Sequence, residues 1–85
     1  MKNYLITYDL KVPGHDYANL YIEIKRYPHI HALESVWFVK FNGSASDISE
    51  HLAKYVDKND RLFISEITAN YNGWLDQNKW DFLKN

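Results

Sequence analysis

Apolar positions recur along the chain with two spacings, and the spacings predict its elements in order. Tyr4-Leu5-Ile6-Thr7-Tyr8 is nearly continuous in apolarity and stops at Asp9. Such a run marks a strand covered on both faces and therefore central in its sheet. Lys11 to His15 follows, with a turn signal at Pro13-Gly14. Asp16 suits an N-cap, and Tyr17, Leu20, Tyr21 and Ile24 then fall on one helical stripe. Glu23, Lys25 and Arg26 take the wet side, and Pro28 requires the helix to end by the turn before it.

His29-Ile30-His31-Ala32-Leu33 predicts a short strand and Ser35 to Phe41 a stronger one, with a break near Glu34. Asn42-Gly43 is a turn signal, and Ser44-Ala45-Ser46-Asp47 fits a capping box. Ile48, Leu52, Tyr55 and Val56 share one face of the helix that follows, which Lys58-Asn59-Asp60 ends. Arg61 to Ile67 reads as the last strand, and Asn70 to Gly73 as a polar bend. The tail, residues 74–85, has Trp74, Leu75, Trp80, Phe82 and Leu83 but no long β-branched run, so it reads as a short helix or docked arm. The order β-α-β-β-α-β predicts one α+β domain over residues 1–85, a ferredoxin-like sandwich with a four-stranded antiparallel sheet and both helices on one face. The tail, or a partner subunit, is then needed to cover the other face.

The chain has 85 residues, enough for one domain. By mass scaling a monomer of this size keeps roughly 5,300 Å² exposed. Cysteine is absent, which excludes disulfides, thiolate metal sites and a Cys nucleophile. Seven Tyr, four Phe and three Trp offer packing area within the chain and a surplus for a second copy. Net charge is −1, unlike proteins that coat DNA without sequence preference. No run is long and apolar enough for a membrane span, and Met1-Lys2-Asn3 leads straight into a strand, so no membrane and a cytoplasmic location are expected.

Asp9 is the most informative residue. At the end of a buried strand a carboxylate costs free energy unless it is paired, hydrogen-bonded or metal-bound. One reading has it capping the loop that follows. The other comes from a resemblance. Tyr4-Leu5-Ile6-Thr7-Tyr8-Asp9-Leu10 resembles the first strand of the CRISPR-associated Cas-two family, and Ser35-Val36-Trp37 stands where that family has a segment ending Ser-Val-Phe. The closing pattern of amphipathic helix, Asp57-to-Asp60 turn and apolar strand is similar too. Trp80-Asp81-Phe82 resembles the tail of virulence-associated protein D, and small stand-alone proteins of the SinR family share the element order. His29 to Glu34 departs from the basic and Gln-containing stretch of Cas-two members, and the loop after Asp9 is not Arg-rich.

The resemblance implies a homodimer whose strand-end aspartates face each other near the two-fold. It also implies a metal-dependent nuclease, foremost an endoribonuclease, in a defence or toxin setting. Asp9 would be the ligand of a Mg²⁺ or Mn²⁺ ion, with Tyr8 and Ser35 bonding to it indirectly or to phosphate. The alternative is a non-catalytic dimer that binds RNA, DNA, an antitoxin or another protein on the same scaffold. His29 and His31 share one strand face and are open to three readings: solvent-facing side chains, a zinc pair needing a third ligand from His15, His51 or a carboxylate, or general bases in RNA cleavage. Lys11, Lys25, Arg26, Lys40 and Arg61 are candidate phosphate contacts, although Lys25 and Arg26 also suit a solvated helix face. Lys40 interrupts an apolar strand, which suits a sheet edge. The aromatic side chains suit either base stacking or, with Trp37, Trp74, Trp80 and Phe82, core and dimer interface.

Overall fold

Strand geometry sends alternate side chains to opposite faces, so a strand apolar at every position needs cover on both. In the computed structural model that strand, β1 (Lys2–Asp9), pairs with β3 (Val36–Phe41) along one edge and β4 (Arg61–Ile67) along the other, and helix side chains pack on both of its faces. The remaining elements are α1 (Ala18–Ile24), β2 (His29–Leu33), α2 (Ala45–Ala53) and α3 (Gln77–Lys84). The structure describes residues 1–12 and 16–85; the expected turn at Pro13-Gly14 and the candidate ligand His15 lie outside the described residues. The strands form one antiparallel sheet in the order β2-β3-β1-β4, giving a small α+β fold.

Tyr4 and Ile6 of β1, with Trp37 and Val39 of β3, meet Leu20 and Ile24 of α1 and Ile48 and Leu52 of α2 in the main core. All eight are buried. The opposite face has a second cluster, in which Ala32, Phe38 and Leu83 are buried and Leu5, Val36 and Trp80 pack around them. Helix α3 therefore docks the tail onto the sheet, as the apolar tail residues require. Asn3 Nδ2 donates to the Leu83 carbonyl at 2.8 Å, and Lys40 Nζ donates to Asn3 Oδ1 at 2.7 Å and to the Asn85 main-chain oxygen at 3.2 Å.

That arrangement corrects the reading of Lys40. It lies on β3, an interior strand, instead of at an edge. Its ammonium sits 4.6 Å from the centre of the Phe82 ring, and burial pushes its pKa down. The lysine is tolerated inside the sheet because its head leaves the strand to grip the C-terminal helix.

The capping box is present: the Ser44 side chain accepts from Asp47 N–H at 3.1 Å while Asp47 Oδ2 accepts from Ser44 N–H at 3.0 Å. At α1 the expected N-cap moves by one position. Tyr17 occupies it, and Asp16 Oδ1 reaches over to accept from Ala18 N–H at 2.9 Å. Helix α2 stops at Ala53, so Tyr55 and Val56 pack against the core from beyond its end.

The seam between α1 and α2 is polar at one point. His51 Nε2–H donates to Glu23 Oε1 at 2.8 Å, leaving Nδ1 to accept from the Tyr27 hydroxyl at 2.6 Å; Arg26 Nε donates to Glu23 Oε2 at 3.1 Å. The His51 bond, reinforced by Arg26 and opposed by burial, holds the Glu23 carboxyl below its ordinary value of 4.5. A depressed carboxylate contributes stability that is complete above the unfolded value and is lost as pH falls through the lower folded one. Thermal melts from pH 6 down to the acid limit should therefore show a stability loss below about pH 4.5. Glu23→Gln is expected to lack that component, and an identical pH profile for wild type and variant would show that the pair is inert.

Candidate nucleic-acid site at the end of the central strand

Antiparallel pairing of β1 with β3 sets the last residues of one strand beside the first of the other, with Thr7 opposite Val36. Tyr8, Asp9 and Ser35 are brought together there. With Leu10, Tyr21 and Glu34 they line an open groove of about 540 Å³. Asp9 also lines a second, shallower groove of about 230 Å³ with Thr7, Tyr8, Arg61, Leu62 and Phe63. The carboxylate thus stands on a lip common to both.

Its side chain is 66% exposed, and Oδ2 lies 3.3 Å from Lys11 Nζ. Ending a buried strand therefore does not bury Asp9; water and Lys11 relieve the expected desolvation cost. Arg61 faces Asp9 across the β1–β4 pairing, giving the acid a cation-bearing residue on a neighbouring strand. Among the described hydrogen bonds Asp9 makes no loop cap. That task falls to Asp60, which the sequence places at a helix end and in the Asp57-to-Asp60 turn. Asp60 is buried, and its Oδ1 accepts from Lys11 N–H and the Tyr17 hydroxyl at 2.8 Å each while Oδ2 accepts from Asp57 N–H at 2.7 Å. The Asp57-to-Asp60 spacing, which suits an Asx-type turn, was the local sign of it.

Behind the larger groove stands Trp37. Its Nε1–H donates to the Tyr8 hydroxyl at 3.0 Å, its ring stacks on Tyr21 at 6.4 Å, and Lys25 Nζ lies 6.0 Å from its centre. Burial pushes the Tyr8 phenol up, partly countered by the Trp37 donor, with Tyr21 adding to the rise. Tyr8 is consequently a neutral hydroxyl around pH 7, suited to hydrogen bonding and not to nucleophilic attack.

His31 does not line either groove. Its ring lies flat on Trp37, 4.0 Å between centres and 4° between planes, and Nε2–H donates to the Glu34 carbonyl at 2.9 Å. His29 Nδ1–H donates to the Tyr27 carbonyl at 2.9 Å. Both histidines are exposed on edge strand β2. Among the described residues no group of three or more His, Asp or Glu is placed to hold a metal ion. Of the candidate phosphate contacts, Arg26 is committed to Glu23 and Lys40 to the tail; Arg61 lines the smaller groove while its Nη1 donates to the Asn59 and Asp60 carbonyls, Lys11 pairs with Asp9, and Lys25 stands by Trp37.

Glu34, Leu10 and Tyr21 were not anticipated at the site. Tyr21 reaches it from the core-facing stripe of α1, and Glu34 from the β2–β3 connection, where a lone acid has no distinguishing pattern. Among the described residues no helix is long and apolar enough to cross a membrane. No protein-family profile matches the chain, and no solved structure matches it.

Proposed function

We propose that this is a ferredoxin-like homodimer that cleaves RNA with the help of a divalent metal ion, in the manner implied by its likeness to the Cas-two and virulence-associated protein D families. The strand order, read from the other edge as β4-β1-β3-β2, is the one that two interleaved βαβ units produce, and it supports the fold part of the reading. The observation that carries the functional part is Asp9. It is a solvent-open carboxylate on a lip between two grooves, with Lys11 and Arg61 next to it and the Tyr8 phenol and Ser35 in the larger groove.

Asp9 by itself does not complete a metal site. Mg²⁺ and Mn²⁺ favour oxygen ligands, and Mg²⁺ keeps several waters while taking one or two carboxylates plus substrate phosphate. Asp9 fits that requirement with a second acid, either Glu34 on the same groove or Asp9 of another copy. With the ion bound, the chemistry supplied is a lowered pKa of coordinated water and neutralised charge on a phosphoryl oxygen. The chain's own groups do the rest. Lys11 and Arg61 offer cations to neighbouring phosphates, Tyr8 and Ser35 offer hydroxyls, and Tyr21 offers a ring against which an unpaired base can stack. Phe63, 62% exposed, is in register with Thr7 on the sheet face to which Asp9 belongs, so a second copy on that face would bring its own Asp9 to the same side.

The test is cleavage of single-stranded RNA with Mg²⁺ or Mn²⁺, comparing wild type with Asp9→Asn. Losing even an outer-shell partner costs roughly 10–100-fold in metal affinity or activity, so losing the ligand itself should cost at least about 100-fold. Stability should stay within about 0.5 kcal/mol, because the side chain is largely in water. Unchanged cleavage in Asp9→Asn would remove Asp9 from the chemistry. Chelator-resistant cleavage that leaves cyclic phosphate ends would transfer it to His31 or His29. No cleavage of RNA or DNA with either metal would leave the scaffold as a binding module for nucleic acid, an antitoxin or another protein.

A further inference from the structure

The largest exposed apolar side chain lies far from Asp9 in sequence. Trp74 is 93% exposed, in the segment between β4 and α3, and stands on the rim of an apolar groove of about 340 Å³. Leu5, Leu33, Val36, Phe38 and Trp80 are among the groove's walls, and among the described residues no Asp, Glu, Lys, Arg or His lines it. Gly73, immediately before, has φ +154°, a conformation open to glycine and strained for residues with a side chain. The chain is thus built to carry the indole away from the sheet at this point.

We infer that the occupant of this groove is Trp74 of a second copy, each chain inserting its indole into the other across a two-fold axis. This rests on the dimeric reading given above and names the contact that makes the dimer. Three observations support a second copy over other occupants. A groove without a cation is unsuited to nucleic acid, whose binding runs on Lys and Arg against phosphate. The projecting indole and the receiving groove belong to one surface patch, so a single isologous contact buries both. Finally, apolar side chains at the groove stay uncovered in the single chain. Leu33 is 54% and Tyr71 40% exposed, both at the groove. The patch also runs through Val36 to Thr7 and Phe63, which are in register across three strands and lead toward Asp9.

Sedimentation equilibrium over the micromolar range, on the full chain, distinguishes the possibilities. Trp74→Ala and Leu33→Asp are both at exposed positions and should fold, as circular dichroism will verify. Each is expected to raise the dimer dissociation constant at least about 30-fold, the effect of losing one hot-spot contact, and the two-fold axis removes that contact twice. An equimolar mixture of the two variants provides the decisive arm. In the mixed dimer the Trp74 of the Leu33→Asp chain meets a groove that keeps Leu33 on the Trp74→Ala chain, so the mixture should associate more tightly than either variant alone. A wild-type dimer that neither substitution weakens, or variants whose mixture shows no such rescue, would overturn the exchange of indoles while leaving a dimer through another surface. A wild type that is monomeric throughout would remove both this contact and the dimeric reading on which it rests.

Discussion

Trp37→Ala is expected to destabilise the protein by about 3–5 kcal/mol, the range for deleting a buried aromatic side chain. Trp37 is only 3% exposed and sits in the main core. A fold of 85 residues has a total stability of roughly 4–13 kcal/mol at ordinary values per residue. The loss is therefore a large share of the whole, visible as a melting temperature at least about 12 °C lower. The consequence extends to the groove, because the same indole holds Tyr8 by a hydrogen bond and backs Tyr21 and His31 by stacking. Trp37→Phe separates the two roles. It keeps an apolar ring and loses the N–H, which should cost about 1–2 kcal/mol and push the Tyr8 phenol further up, since the donor to its oxygen favours the phenolate. Ultraviolet titration against a Tyr8→Phe background measures that shift. A Tyr8 titration that is unchanged in Trp37→Phe would mean the bond at 3.0 Å has no electrostatic effect in solution.

Asp60→Ala is the second large effect, expected at about 3 kcal/mol or more by chemical denaturation. The carboxylate accepts two main-chain N–H groups and one hydroxyl, and hydrogen bonds to a charged acceptor are worth about 1.5–3 kcal/mol each before water compensates the freed donors. These bonds tie together three separate pieces: the segment leaving β1, the start of α1 and the turn before β4. Asp60→Asn keeps the shape and one acceptor oxygen, so roughly half the loss is expected. Lys11 belongs to the first of those pieces and is the cation beside Asp9. Any cleavage by the protein should accordingly fall in Asp60→Asn even where the fold survives. A stability within about 0.5 kcal/mol of wild type for Asp60→Ala would show that water replaces the carboxylate without cost.

Much of the architecture is legible in local patterns. The four strands, Leu20 and Ile24 of α1, Ile48 and Leu52 of α2 and the Ser44–Asp47 capping box lie where the spacing of residues predicts, whereas α2 ends at Ala53, short of Tyr55 and Val56. The central place of β1 follows from its unbroken apolar run. Exceptions have physical causes. Lys40 breaks an apolar strand in sequence, a sign of an edge, yet β3 is interior because Asn3, Phe82 and the chain end supply partners from residues far away. Trp74 reads as core or interface from its chemistry, and the structure places it almost wholly in water within the single chain.

The site divides in the same way. Asp9 stood out as an acid ending an apolar strand, and Tyr8 and Ser35 through the resemblance to Cas-two segments, but Glu34 and Tyr21 have no local signature that points to the groove. By itself the sequence determined which segments are strands and helices and which faces are apolar, because the backbone's repeats of two and 3.6 residues translate directly into spacing. Tertiary structure alone decided that the end of β1 meets the start of β3, that Asp9 lies open beside Lys11 instead of buried, and that α3 covers only part of the sheet. Those outcomes depend on strand pairing and on long side chains reaching across the fold, and the spacing of residues along a chain does not encode what lies across from them.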